Sequence, residues 1–148
     1  QLIRQGYIQR SLSSVASRPL LVKKKNGEYR LCIDYRDINR CTKPVVYPLP
    51  NGKGILQRMR GSKFFARVDL RKGFHQIPLK PQCRWLAAFI TPFGCFEFKT
   101  MPFGLQNPAG FLQQTLEGVL NSCSGVEVFI DDIVIHGKTQ SEYLKTVH

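Results

Sequence analysis

Three acidic residues stand where chemistry could be done. Asp131 and Asp132 are adjacent within "VEVFIDDIVIH", a run otherwise rich in the β-branched and aromatic residues that suit a sheet. Asp69 closes "SKFFARVDL", 62 positions before Asp131. Two like charges about 4 Å apart repel by roughly 4 kcal/mol at an effective dielectric near 20. That is a large share of a domain's net stability of about 5–15 kcal/mol. The pair must therefore sit at an exposed turn or be held by something cationic. Successive strand residues face opposite sides, so both carboxylates can reach one site only if the strand turns there. A hairpin turning at Ile130-Asp131 would do this and, lacking glycine, would carry backbone strain. If Asp69 lies on the adjacent strand, three carboxylates converge into a hard-oxygen site suited to Mg²⁺ and to phosphate-bearing substrates. Two such ions about 3.5–4 Å apart can activate an attacking oxygen and stabilise a leaving one. An ordinary acidic turn is the competing reading.

A polyphosphate substrate also needs cations from the protein. Lys24 and Arg30 are cross-strand candidates in "PLLVKKKNGEYRLCIDY", where two strand-like runs flank Asn26-Gly27, a strong hairpin signal. The net charge is +12 and unevenly spread: residues 1–84 hold 19 Lys/Arg against 4 Asp/Glu, residues 85–148 hold 3 against 6. A basic half beside a mildly acidic half reads as a polyanion-binding surface next to a cation-binding site. A basic face kept for solubility reads equally well from charge alone.

The remaining composition narrows the class. Hydrophobic residues make up 43% of the 148, enough to fold. No apolar run approaches the roughly 18 residues of a membrane span, and the start carries no signal-peptide pattern. Five scattered cysteines without C-x-x-C spacing fit free thiols, and the three histidines show no zinc-ligand spacing. "LIRQGYIQRS" reads as a helix end capped by Gly6. Thr139 and Glu142 form the capping box of a helix that stops after little more than two turns. Both ends thus read as cut from a longer polypeptide.

Those carboxylates and cations need elements to hold them. "SKFFARVDL" reads as a strand ending at Asp69, and "GFHQIPL", "LAAFIT" and "CFEFK" as further strands. "KPVVYPLP" must be extended, and residues 51–60 can form a short helix weakened by Gly52 and Gly54. Asn107 can N-cap a helix with Pro108 first, whose apolar stripe is Phe111, Leu112, Leu116, Val119 and Leu120. Strands and helices mix without regular βαβ alternation, so the expected class is α+β.

In order along the chain, "LVKKKNGEYRLCIDYRDIN", "YPLP", "FFARVDLRKGFHQI", "FITPFGCFEFKTMPFGLQN" and "FIDDIVI" resemble the motifs of reverse transcriptases. "MPFGL" with "YPLP" looks most like the gypsy-type LTR retrotransposons. The resemblance runs from about Pro19 to the chain end. It implies the fingers and palm of a right-hand polymerase, the palm a ferredoxin-like antiparallel sheet packed on helices, with the thumb absent. Fingers would be residues 1–45, with the hairpin at 19–34, and 77–106; palm would be 46–76 and 107–148.

By the same resemblance, Asp69, Asp131 and Asp132 would be catalytic and, with the Leu70 backbone carbonyl, would hold two Mg²⁺, with Mn²⁺ able to substitute. They would assist attack of a primer 3′-OH on a dNTP. Lys24, Arg30, Arg71, Lys72, Gly73, Phe74, Phe103 and Gly104 would bind the dNTP, the amides from Leu70 to Gly73 acting as a phosphate nest. Phe74 would be the steric gate against a 2′-OH; by residue type alone it reads equally as a core aromatic. Phe129 and Ile130 would anchor the hairpin. Implied partners are RNA and DNA primer–template, dNTPs and the rest of a Pol polyprotein (thumb, RNase H, integrase), with no membrane. The implied location is the cytoplasm, in a virus-like particle, or the nucleus.

Departures from the pattern open a second reading. Phe129 replaces the usual Tyr of Y-x-D-D. "NPAGF" is one residue shorter than the usual N-A-P-A-x-F. "PNGKGIL" puts glycines among helix formers, and "CRWLAAF" has Cys83, Leu86 and Ala87 where Asp, Lys and Thr are usual. An inactive retroelement relic that only binds nucleic acid could look like this. An RNA-dependent RNA polymerase ranks lower: that family carries an Asp where Phe74 stands and G-D-D in its hairpin. Without a thumb, the chain alone is expected to hold primer–template poorly.

Overall fold

Residues 2–23 and 25–147 are described by a computed structural model. Its elements are β1 (Ile8–Arg10), β2 (Arg18–Lys23), β3 (Tyr29–Asp34), α1 (Arg36–Cys41), α2 (Gly52–Arg58), β4 (Phe64–Asp69), β5 (Ala88–Thr91), β6 (Gly94–Phe98), α3 (Pro108–Leu120), β7 (Val126–Phe129), β8 (Asp132–Gly137) and α4 (Gln140–Val147). Two 3₁₀ turns, Gly73–Gln76 and Pro81–Ala87, lie between β4 and β5. The class is α+β, with antiparallel sheets, as the irregular order of strand and helix patterns required. Among the described residues no helix is long and apolar enough to cross a membrane.

The chain divides into two compact units, Gln1–Pro44 with Phe74–Pro108, and Val45–Gly73 with Ala109–His148. In the first, β1, β6 and β5 form one antiparallel sheet, and β2 pairs with β3 in a hairpin. Ile8, Ile33, Tyr35, Ala87, Phe89, Phe96 and Phe98 make its core. Phe89 packs on both Phe96 and Phe98, with ring centroids 6.1 and 5.4 Å apart. Burying each such side chain contributes about 1.5–3 kcal/mol. Tyr35 is buried but satisfied, since its hydroxyl donates to the Ala87 carbonyl at 3.1 Å, and burial raises its pKa.

In the second unit β8 lies between β4 and β7. Arg58 of α2 forks onto Glu127 of β7 at 2.6–2.9 Å, tying helix to sheet. α2 forms despite its glycines because Asn51 caps it, its side-chain oxygen accepting from the Lys53 amide at 3.0 Å. The capping box of α4 is closed: the Thr139 hydroxyl accepts from the Glu142 amide at 3.2 Å, and Glu142 accepts from the Thr139 amide at 3.3 Å. In the first unit, Gly6 (φ +76°) makes the paired bonds of a Schellman end, Tyr7 to Leu2 and Gly6 to Ile3.

Some expected elements differ. "GFHQ" is a 3₁₀ turn, not a strand, because Lys72 takes a left-handed φ of +56° just before it. In "LAAFIT" only Ala88–Thr91 pairs as a strand, since Pro81 starts a 3₁₀ helix that runs to Ala87. The described register of the β2–β3 hairpin ends at Lys23 opposite Tyr29, so Asn26-Gly27 lies inside a longer loop, not a two-residue turn. Asn107 has φ +71°, away from the extended backbone of a usual N-cap. On α3 the most buried residues are Leu112 and Gln113, while Phe111 and Val119 of the expected stripe are exposed.

Candidate active site

The second unit brings the three aspartates to one end of its sheet. In the antiparallel register of β4 and β8, Asp69 stands directly opposite Asp132. Residues opposed in this way project from the same face. On the other side of β8, Asp132 is paired with Phe129. The chain reverses through Ile130 and Asp131 alone, and the Leu70 amide donates to the Asp131 carbonyl at 3.2 Å. The tip between β7 and β8 thus meets the end of β4.

That reversal is strained. Ile130 has φ +57°, left-handed backbone that a β-branched side chain disfavours, at a cost of about 1–3 kcal/mol. Gln113, fully buried on α3, meets the turn from beneath. Its Oε1 accepts from the Ile130 amide at 2.6 Å, and its Nε2 donates to the Val128 carbonyl at 3.0 Å. Buried hydrogen bonds contribute about 0.5–1.5 kcal/mol each, so the two together are of the size of the strain. Phe129, expected as an anchor, is 42% exposed; Val128, at 8%, is the hydrophobic residue that β7 buries.

Arg67 answers the charge problem of the acidic pair in this structure. It lies on the same face of β4 as Asp69, and its Nε and Nη2 reach Asp132 Oδ1 at 3.0 and 2.7 Å. The bond to Asp132, with the charges of Asp69 and Asp131 nearby, raises the Arg67 pKa. Among the described residues no group of three or more His, Cys, Asp or Glu side chains is spaced to hold a metal ion. The triad is therefore a juxtaposition of backbone positions, not an assembled ligand set. Its donor chemistry still fits Mg²⁺: three carboxylates, Asp69 exposed and Asp131 and Asp132 half-buried, with no soft or nitrogen ligand among them.

Next in the chain, Leu70 gives its amide to Asp131, so that amide is not part of a phosphate nest here. Arg71 and Lys72 are exposed, whereas Gly73 is buried, where a Cβ would lie 3.3 Å from both Leu112 and Leu70.

The remaining candidates belong to the first unit. Phe74 meets Phe103 edge-on, with centroids 5.0 Å apart, and Phe103 is 48% exposed. Gly104 has φ +95°, and its carbonyl accepts from Asn39 Nδ2 at 2.8 Å. Asn39 Oδ1 accepts in turn from the Gln106 amide at 2.8 Å, so one side chain holds the C-terminal end of the "MPFG" loop at two points. Arg30 is exposed on β3 opposite Val22, and Lys24 lies outside the described residues.

Gln113, Arg67 and Asn39 are the residues that motif reasoning missed. Asn39 lay in plain view at the end of "RDIN". Gln113 had one signal, a glutamate four residues on, on the same helical face.

Comparison with known proteins bears on the family and the fold. The family described as reverse transcriptase (RNA-dependent DNA polymerase) matches residues 22–148. The Transposon Tf2-3 and Tf2-7 polyproteins of Schizosaccharomyces pombe are 34% and 33% identical over 99% of this chain, which spans 11% of their length. The foamy viral protease-reverse transcriptase dRH in complex with double-stranded DNA superposes with a TM-score of 0.89 at 26% identity, over 99% of this chain and 26% of that one. The foamy viral protease-reverse transcriptase in complex with an RNA/DNA hybrid gives 0.88 at 25% identity, over 99% of this chain and 20% of that one. These relatives are consistent with the retrotransposon character read from the motifs. The chain belongs to the reverse transcriptase family.

Proposed function

We propose that this chain is the nucleotidyl-transfer core of a retrotransposon reverse transcriptase, with fingers at residues 1–45 and 77–106 and palm at 46–76 and 107–148. What supports the reading is the register that sets Asp69 opposite Asp132 with Asp131 at the adjoining tip. Asp69, Asp131 and Asp132 would hold two Mg²⁺, with the Leu70 carbonyl as a further oxygen ligand. When bound, the ions would supply Lewis-acid activation of a primer 3′-OH and charge stabilisation of the leaving pyrophosphate.

The protein's own residues would bind and orient. Lys24, Arg30, Arg71 and Lys72 would neutralise the dNTP triphosphate. Phe74 would exclude a ribose 2′-OH, and Phe103 and Gly104 would contact the incoming nucleotide. RNA or DNA primer–template would lie along the basic surface, and the rest of a Pol polyprotein would supply the thumb, RNase H and integrase. Such a protein would work in a cytoplasmic particle or the nucleus.

The test is primer extension on RNA and DNA templates by the complete polyprotein that carries this chain. Asp131→Asn should abolish extension while leaving nucleic-acid binding intact. Retained metal-dependent extension would remove the catalytic assignment.

One observation favours the relic reading: Arg67 already engages Asp132. On that reading the complete protein binds RNA and DNA in a salt-sensitive way and extends no primer. Extension by the wild type rules it out.

A further inference from the structure

The buried amide of Gln113 is one end of a longer chain of hydrogen bonds. Its Nε2 donates not only to the Val128 carbonyl but also to Glu117 Oε1, at 2.7 Å, one helical turn along α3. The other Glu117 oxygen accepts from the Tyr47 hydroxyl. Tyr47 in turn is seated against α3 at Gly110, where a Cβ would lie 2.9 Å from the Tyr47 Cβ. Every residue in this path belongs to the second unit.

The direction of each bond is fixed by chemistry. A carboxylate and a backbone carbonyl can only accept, and an amide N–H can only donate. Turning the Gln113 amide over would set its oxygen against Val128 O and Glu117 Oε1, and its NH₂ against the Ile130 amide. One orientation satisfies all three contacts. Glu117 thereby selects the orientation in which Gln113 offers an acceptor to Ile130, and Tyr47 fixes Glu117. The group so gripped is the amide of the one strained residue of the tip, beside Asp131.

We propose that Tyr47, Glu117 and Gln113 form a positioning relay that holds the Ile130-Asp131 turn, and with it the Asp131 and Asp132 carboxylates, in register with Asp69. None of the three touches substrate; they act through the backbone of the tip. The importance of the relay for turnover rests on reading those carboxylates as catalytic, but its grip on the tip does not.

Two readouts separate the claims. The first is amide hydrogen exchange of the 148-residue chain. Gln113→Met keeps the length and apolar fit of the side chain and removes its hydrogen bonds. The Ile130 amide should then exchange about tenfold faster, as expected for loss of one buried hydrogen bond. Amides central to the β4–β8 ladder should stay within about twofold. Uniform loss of protection across that ladder, or an unchanged Ile130, overturns the relay. If Gln113→Met does not fold, Tyr47→Phe carries the same test, with about threefold faster exchange at Ile130 expected from the loss of a more remote bond. The exchanged pair Gln113→Glu with Glu117→Gln restores a donor–acceptor contact between the two positions and an acceptor for Ile130. It should recover most of the Ile130 protection that Gln113→Glu alone loses, and no recovery overturns the relay.

The second readout is primer extension by the complete polyprotein. Gln113→Met should lower kcat by about tenfold or more, with KM for dNTP little changed, as expected for a displaced reacting group. Unchanged kcat in an active wild type overturns the positioning role. An inactive wild type removes the catalytic reading and leaves hydrogen exchange to decide for or against the grip on the tip.

Discussion

The Arg67 guanidinium gives two hydrogen bonds to one carboxylate oxygen of Asp132, at 3.0 and 2.7 Å. A side-chain cation thus already balances charge at the tip where the acidic pair would otherwise repel. Any divalent ion that uses Asp132 must displace or share that contact. Exposed pairs of this kind contribute little, so Arg67→Ala should tighten Mn²⁺ or Mg²⁺ binding by no more than about fivefold. Isothermal titration of the 148-residue chain measures this. Weaker ion binding in the variant would show that Arg67 supports the ion site and does not compete with it.

The strain at Ile130 yields a pair of opposed substitutions. Glycine adopts its φ of +57° freely. Ile130→Gly should therefore fall within about 1 kcal/mol of wild type despite losing a large side chain, since strain relief offsets the lost contacts. Ile130→Pro forces φ to about −65° and deletes the amide that Gln113 accepts from. It should cost about 3 kcal/mol or more. Urea midpoints with unchanged slopes report both values. A glycine variant as unstable as the proline one would mean that the left-handed turn is not strained.

Close packing gives a third prediction. A Cβ on Gly137 would lie 2.7 Å from the backbone nitrogen of Tyr143 in α4. Backbone on both sides leaves little room to give way, so Gly137→Ala should push α4 off β8. The expected loss is about 1–3 kcal/mol, typical of overpacking, seen as a lower melting temperature with faster amide exchange in α4. Wild-type stability would show that α4 is not seated on β8 as described.

Alkaline pH reads out the outer end of the relay. The Tyr47 hydroxyl donates to Glu117, and that bond, followed by burial and the nearby charge, lifts its phenol above the ordinary value of 10.0. A group with a raised folded pKa contributes stability that is fully present below its unfolded value. That stability is lost as pH rises through the folded value. The bond's contribution is therefore complete below pH 10.0 and falls away above it. Ultraviolet titration of tyrosinate should show a late-ionising phenol that Tyr47→Phe deletes and Glu117→Gln returns toward the ordinary value. An unchanged titration in Glu117→Gln would break that link. Tyr35, whose phenol is also raised, by burial, should stay late in both variants.

Much of the second unit was legible because its signals are local. The end of β4 at Asp69, the reversal at Ile130-Asp131 and the capping box of Thr139 and Glu142 follow from alternation, from the cost of adjacent carboxylates and from helix-end chemistry. The face that α3 buries was misjudged because hydrophobicity stood in for burial. Gln113 is buried as a polar residue whose amide is satisfied by groups 4, 15 and 17 residues away. The one signal in "FLQQTLE", Glu117 four residues after Gln113, also stands within a helical turn of the exposed Gln114, so spacing does not separate the two glutamines. Arg67 was hidden for a similar reason: its partner Asp132 is 65 residues distant, and the contact exists only through the β4–β8 register. "GFHQIPL" has a strand's composition, but a left-handed Lys72 redirects the chain before a strand can begin.

The claim that Asp69 and the acidic pair share one cation site can be tested on the 148-residue chain. Mn²⁺ is titrated in and its paramagnetic broadening of backbone amides is mapped by NMR. Broadening should concentrate at the amides around Asp69 and Ile130 to Asp132, and Asp69→Asn should greatly weaken it. Broadening spread over unrelated acidic residues, or broadening at the tip that is indifferent to Asp69→Asn, would contradict a shared site.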